Sequence, residues 1–147
     1  MEFALPKSYD FVEYLGRNGE SYPDKMNYAY KDYSSFNVEE DFTNYTVPQE
    51  CGSRADTNKF TVSGKGNGAS RKIKIRSEKT FSFSVLPYST LELNAAAHNW
   101  QLVKSKKNTV CVDYKMSGVG SNSCGPELDE RYRLSEKKID FSFNIEF

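Results

Sequence analysis

Apolar and polar residues alternate without a break over residues 138–147. Ile139, Phe141, Phe143, Ile145 and Phe147 fall on one side, and Lys138, Asp140, Ser142, Asn144 and Glu146 on the other. Side chains on a strand point to opposite faces with period two, so this run reads as a β-strand with one dry and one wet face. Residues 77–85 repeat the spelling. Ser77-Glu78-Lys79 echoes Ser135-Glu136-Lys137, and Phe81-Ser82-Phe83-Ser84-Val85 echoes Phe141-Ser142-Phe143-Asn144-Ile145. The echo fits neighbouring strands or a duplicated unit, and convergent spelling of a two-faced strand explains it as simply.

Shorter runs of the same kind follow one another from residue 58. Phe60 and Val62 alternate, and Lys65-Gly66-Asn67-Gly68 supplies a turn whose glycines tolerate positive φ. Ile73 and Ile75 alternate with Lys72, Lys74 and Arg76, and Phe81, Phe83 and Val85 come next before Pro87-Tyr88. Strand-like apolar positions continue through Leu91 and Leu93, Trp100 and Leu102, then Val110, Val112, Tyr114 and Met116, and finally Tyr132 and Leu134. Weaker strands are expected within residues 28–48 around Phe36, Val38, Phe42, Tyr45 and Val47. The one helical segment expected is at residues 8–16, with Ser8 as cap, Phe11, Val12 and Leu15 on one face, and Gly16 as the stop. The pattern predicts an all-β fold, an antiparallel β-sandwich or barrel-like array of about eight to ten strands with a short N-terminal helix. Residues 1–147 read as a single β-rich domain, with a tyrosine-rich portion at 1–48 and the regular strand array at 58–147.

Composition narrows the function classes. Lys plus Arg and Asp plus Glu number 20 each, so the net charge is zero. That balance argues against a nucleic-acid binder, whose affinity comes from a basic excess neutralising phosphates. Ten Tyr and ten Phe are too many aromatics for a disordered chain. No stretch reaches the ~20 apolar residues of a membrane-spanning helix. The opening Met1-Glu2-Phe3-Ala4-Leu5-Pro6 lacks the basic and apolar blocks of a signal peptide. The chain is therefore expected either to be made without one or to be a mature secreted domain behind a start methionine. The compartment stays open, with a secreted setting favoured. Cys51, Cys111 and Cys124 allow one disulfide with a free thiol, or three thiols. No Cys-x-x-Cys occurs and His98 is the only histidine, so neither a metal nor a cofactor is expected.

Catalytic constellations are weak. His98, beside Trp100, would have to serve alone as the base for a nucleophile, and it reads as a loop histidine packing on that ring. Paired carboxylates could do glycosidase work if one were buried with a raised pKa. The candidates Glu39, Glu40 and Asp41, and Glu127, Asp129 and Glu130, sit in polar runs that read as solvated, with calcium a lesser thought for either cluster. Residues 65–72 resemble a basic hairpin tip more than a phosphate cradle. Tyrosines give the better lead, since seven of the ten fall in residues 1–45. A flat ring with a hydroxyl at its tip suits stacking on sugars or holding a cation. The expected ligand-binding set is Tyr28, Tyr30, Tyr33, Tyr22 and Trp100. Rings covering a sheet end or edging an oligomer interface explain the tyrosines equally directly.

One resemblance is local. Residues 81–93, Phe81-Ser82-Phe83-Ser84-Val85-Leu86-Pro87-Tyr88-Ser89-Thr90-Leu91-Glu92-Leu93, are similar to the strand, proline turn and strand of the aerolysin-like toxins of the epsilon-toxin/mosquitocidal-toxin group. Thr109-Val110-Cys111-Val112-Asp113-Tyr114 ahead of Gly118 resembles another of that group's strands. The resemblance implies ring assembly and a β-barrel pore built from an amphipathic hairpin at 57–85. Phe60, Val62, Ile73, Ile75, Phe81, Phe83 and Val85 would then face lipid, and Lys72, Lys74, Arg76, Ser82 and Ser84 the lumen.

The sequence alone thus favours a non-enzymatic β-sandwich recognition domain for a glycan, lipid head group or protein surface. A small toxin-like, membrane-active protein is the alternative. A self-assembling structural protein, with a sticky terminal edge strand and homo-oligomers, comes third and a small hydrolase last.

Overall fold

The computed structural model describes residues 1–66, 69–120 and 127–147. Its strands are β1 (Glu2–Pro6), β2 (Tyr9–Arg17), β3 (Lys31–Asn37), β4 (Arg54–Gly66), β5 (Ala69–Leu86), β6 (Lys107–Asp113) and β7 (Asn144–Glu146). All pair antiparallel in one seven-stranded sheet, in the order β1-β6-β5-β4-β2-β3, with β7 added along β5. Helices are short: α1 (Val38–Asp41), α2 (Thr90–Ala95) and 3-10 turns at Asn99–Gln101 and Glu130–Tyr132. The antiparallel, sandwich-like all-β class read from the alternation is the class observed.

The 18-residue β5 organises the sheet. Its first half pairs β7, with Ile75 opposite Ile145, and its second half pairs β6, from Ser82 opposite Asp113 to Leu86 opposite Thr109. Between the halves the register with β4 slips, because Thr57 faces Phe81 while Lys59 faces Arg76. The surplus residues on β5 make a bulge, which bends a strand and sharpens its twist. Asp56 sits at the slip with φ of 54° and is held there by Arg17 and Lys31, each 3.1 Å from its carboxylate.

Period-two alternation then sorts the second half of β5 onto two interiors. Phe81, Phe83 and Val85 enter the main core with Val12, Tyr14, Phe60, Val62, Ile73, Ile75, Val110 and Val112. Leu86 points the other way, into a smaller cluster with Cys51, Tyr88 and Leu93. Gly52, at φ +72°, brings its loop so close to Leu86 that a Cβ there would lie 2.8 Å from a leucine methyl.

The residues assigned to lipid by the toxin resemblance are all in the main core. Phe60, Val62, Ile73, Ile75, Phe81, Phe83 and Val85 are buried. Phe60 and Phe83 stack with ring centres 4.2 Å apart, and Tyr14 meets Phe83 edge-on at 5.4 Å. Burial of each such side chain is worth about 1.5–3 kcal/mol, so this alternation builds an interior rather than a lipid-facing wall.

Several elements differ from expectation. Residues 8–16 form most of β2, not a helix, because Val12, Tyr14 and Gly16 are buried with period two and β2 is flanked on both sides by β3 and β4. Leu91 and Leu93 belong to α2 rather than a strand. Ser89 caps that helix through a reciprocal box with Glu92, which puts Leu93 inside and Leu91 outside. Trp100 and Tyr132 lie in the 3-10 turns. The closing run is a strand only at Asn144–Glu146. Phe143 nonetheless packs edge-on against Phe81 at 5.4 Å, so the echoed segments meet in the core. Asn67 and Gly68 of the expected turn lie outside the described residues.

Candidate functional site

Opposite the main core, a row of side chains crosses three strands in register. Glu2 on β1 faces Cys111 on β6, and Cys111 faces Ser84 on β5; one step along, Asp113 faces Ser82. Directly opposed residues share a face, so these groups stand together beside Leu86. α2 lies along the row, and Thr90 at its start donates from Oγ1 to Glu2 at 3.2 Å, while the Cys111 thiol donates to the same carboxylate at 3.5 Å. The far wall is the segment after β6. It is pinned by Asp24, which accepts from the backbone N–H groups of Val119 at 3.0 Å and Gly120 at 2.9 Å, and by a Ser53 hydroxyl directed at the Met116 sulfur.

These elements enclose a groove of about 500 Å³. Its apolar lining includes Leu86, Leu93, Met116, Val119 and Leu134, and its charged lining includes Glu2, Glu50 and Asp113. The carboxyl of Asp113 is held above the usual carboxylate range by burial, opposed by the charge of the Met1 amine and helped to a lesser degree by Glu2. Glu50 is an exposed residue, but its carboxyl head is packed among protein atoms. That burial raises its pKa. The nearby Tyr22 hydroxyl pulls the other way, while Glu20 and Asp113 add to the rise. Burial, with Glu2 beside it, pushes the Cys111 thiol up to about 11; burial, with Glu20 and Glu50, pushes Cys51 to about 12. Both thiols are protonated near neutrality and are not activated nucleophiles. Both are free, and Cys124 lies outside the described residues. Lys115 also lines the groove, but its ammonium is 2.5 Å from Glu136. The groove is an apolar trough with more acid than base along it, Glu2, Glu50 and Asp113 against Lys115 and the Met1 amine, and it suits a group that carries both a cationic head and an apolar stem.

The residues singled out from sequence do not form one site. Tyr28, Tyr30 and Tyr33 are exposed near the β3 edge, where Tyr33 packs under the Lys59 ammonium at 4.8 Å. Tyr22 is buried, donates its hydroxyl to Glu20 at 3.1 Å, and presents no face for stacking. Trp100 is elsewhere, exposed on its 3-10 turn and stacked on His98 at 5.9 Å, the loop packing expected for that histidine. The acidic runs are held in ion pairs: Glu39 with Lys7 and Lys104, Asp41 with Arg54, Glu127 with Arg133 and Asp129 with Arg131. Among the described residues, no group of three or more His, Cys, Asp or Glu is placed to hold a metal ion. Sequence reasoning missed the groove, although its signal was present. If Val110 and Val112 face the core, alternation turns Cys111 and Asp113 to the opposite face.

Comparison with known proteins places the chain elsewhere than the sequence reading did. The family model described as Beta galactosidase small chain matches residues 1–145. The chain is 38% identical to a protein named Beta-galactosidase from Staphylococcus xylosus, over 98% of this chain and 14% of that protein. It is 35% identical to a Beta-galactosidase from Actinobacillus pleuropneumoniae, over 100% of this chain and again 14% of the relative. A Beta-galactosidase small subunit from Latilactobacillus sakei is 27% identical over 100% of this chain and 49% of its own length. The chain therefore spans about one seventh of the length of the first two relatives.

These matches run the length of the chain and overturn the toxin resemblance, which rested on one local stretch. With it go the toxin-like, secreted and membrane readings. The free-standing recognition domain and the structural protein are corrected as well, as are the glycan and lipid head-group partners and the expectation that no enzyme is involved. Every relative named above carries the name of an enzyme or of its small subunit. The chain belongs to the beta-galactosidase small-chain family.

Proposed function

We propose that this chain serves β-galactoside hydrolysis as one part of a larger enzyme, assembling with the remainder of a galactosidase. The observation that carries the reading is the match of the family model to residues 1–145 by a chain that covers only 14% of the Staphylococcus xylosus relative. The seven-stranded sheet supports the reading as a rigid unit able to hold a surface in place, and residues 1–147 act in it as one β-rich body. The exposed apolar side chains Leu91 on α2, Trp100 on the following 3-10 turn and Val103 after it support it further, since a partner could cover them.

The test is to produce the galactosidase remainder with and without this chain and to follow hydrolysis of o-nitrophenyl β-galactoside. Full turnover is expected when both are present, with little from the remainder alone and none from this chain alone. Turnover by this chain alone, or an equally active remainder without it, would overturn the proposal.

A further inference from the structure

The groove has a continuation that the strand pairing does not explain. Thr90, Leu93 and Asn94 of α2 face the acid-lined groove, while Glu92, Ala95 and Ala96 face a second hollow of about 410 Å³, closed on its far side by Leu102 and Val103. α2 is thus a ridge between two depressions. The side chains around it are among the most exposed large apolar groups of the protein: Leu91 at 78%, Trp100 at 77% and Val103 at 82%. Scattered exposed apolar residues need no explanation, but Leu91 on the helix with Trp100 and Val103 shortly after it puts three large exposed apolar groups in one stretch, and tryptophan is a residue type enriched at interface centres.

Charge decides what can lie there. Glu2, Glu50 and Asp113 line an apolar trough; the one lysine among its lining residues is engaged by Glu136, and the Met1 amine, which donates to the Val112 carbonyl, offsets only part of the acid. Placing a neutral segment over these carboxylates would strip them of water without compensation, and an acidic segment would be repelled. A lysine or arginine meets both requirements, with its methylenes on the exposed Val119 and Leu134 and its head at the acids.

We propose that α2 and the acid-lined groove beside it form the docking face for the remainder of the galactosidase, and that the segment seated in the groove carries lysine or arginine. This rests on the assembly reading given above. The β3 edge, with Tyr28, Tyr30 and Tyr33, is the competing surface; it is aromatic, but its hollow of about 180 Å³ is smaller and is lined by charges of both signs, Glu13 with Lys59 and Lys74. Burial holds the carboxyls of Glu50 and Asp113 above their ordinary range, and a cation docked beside them would lower both.

The experiment measures the Kd between this chain and the galactosidase remainder by sedimentation or calorimetry, at two salt concentrations. Leu91→Glu, Trp100→Ala and Val103→Glu alter exposed side chains and leave the fold in place, which far-UV circular dichroism checks. Each is expected to weaken binding about tenfold or more. Glu50→Gln with Asp113→Asn is expected to weaken it about tenfold and to flatten its salt dependence. Tyr28→Ala with Tyr30→Ala, on the competing edge, should change Kd by less than about twofold.

Wild-type chain that does not bind the remainder at all refutes the assembly reading itself. Wild-type binding that survives every groove and ridge variant, or is lost with the tyrosine pair instead, refutes the docking face while leaving assembly intact. Carboxamide variants that bind normally but lose turnover would place the carboxylates in chemistry rather than docking and would equally overturn the inference. So would self-association of the wild-type chain through this face, shown by a dimer that Leu91→Glu dissolves and the remainder does not displace.

Discussion

Removing the carboxylate of Asp41 should destabilise the protein by about 3 kcal/mol, the lower end of the range for breaking a buried ion pair. Arg54, at the start of β4, has a side chain only 3% exposed. One of its terminal nitrogens, Nη2, donates to both oxygens of Asp41 at 2.6 Å, and the other donates to the Gly52 carbonyl at 3.2 Å. The guanidinium lies 4.8 Å from the Phe36 ring centre, so the ion closes the aromatic end of the core formed by Phe36, Tyr14 and Phe83. Asp41→Ala leaves that cation inside without its counter-charge. Asp41 is 26% exposed, so water can reach part of the vacated space, which places the cost at the low end. For a chain of this size about 3 kcal/mol corresponds to a fall in Tm of about 6–12 °C. Arg54→Met with Asp41→Ala removes both charges and keeps apolar volume over Phe36, so the double variant should be more stable than Asp41→Ala alone. Urea unfolding followed by far-UV circular dichroism is the suitable assay, because Trp100 is exposed in the folded state and its fluorescence reports little. A cost below about 1 kcal/mol for Asp41→Ala, or a double variant whose loss equals the sum of the singles, would refute the reasoning.

Phe83→Ala should cost about 3–5 kcal/mol in the same assay, since Phe83 is stacked on Phe60 and edge-on to Tyr14, and a smaller loss would mean the core collapses into the gap. Gly64→Ala should cost about 1–3 kcal/mol, because the added Cβ meets the Ser8 carbonyl oxygen and the Tyr9 backbone, where β2 and β4 slip register; an unchanged Tm would show that this contact yields. Folding raises the pKa of both Glu50 and Asp113, so above pH about 4 the folded chain binds more protons than the unfolded one and stability falls as pH climbs through the raised values. The Glu50→Gln, Asp113→Asn variant should therefore gain in Tm relative to wild type between mildly acidic and neutral pH, and a gap that stays constant or narrows with pH would contradict the shifts.

The core was the most legible part. Phe60, Val62, Ile73, Ile75, Phe81, Phe83 and Val85 alternate because each partners an interior on one side only, and period two survives any uncertainty of strand ends. Residues 8–16 were misread for a definite reason. Phe11, Val12 and Leu15 fit a helix turn as well as a strand, and only the flanking β3 and β4 decide between them. Gly16, which looks like a helix stop, is small because Thr57 occupies the place of its Cβ. At residues 89–95 the sequence carried the answer, since Ser89 and Glu92 spell a capping box, but Leu91 and Leu93 imitate alternation. The groove was hidden because its members come from β1, the loop before β4, β5, α2, β6 and the segment that follows, and register across strands is not visible in a linear spelling.

The same alternation that suggested a membrane hairpin builds the main core of the sheet. A β4–β5 hairpin could leave only by breaking its pairing with β2, β6 and β7 and by separating Phe60, Phe81 and Phe83 from Tyr14 and Phe143. Those strands are therefore fixed, and what varies is the covering of the other face. Over Ser84, Leu86, Cys111 and Asp113 that covering is one short helix and a few loops, which half-bury the Cys111 thiol and leave a groove lined by Glu2, Glu50 and Asp113. In the docking proposal, a cationic segment offsets the desolvation of the acids on this face. The period-two pattern thus specifies a core on one side of β5 and β6 and, by the same geometry, sends Ser84, Leu86, Cys111 and Asp113 to the groove on the other.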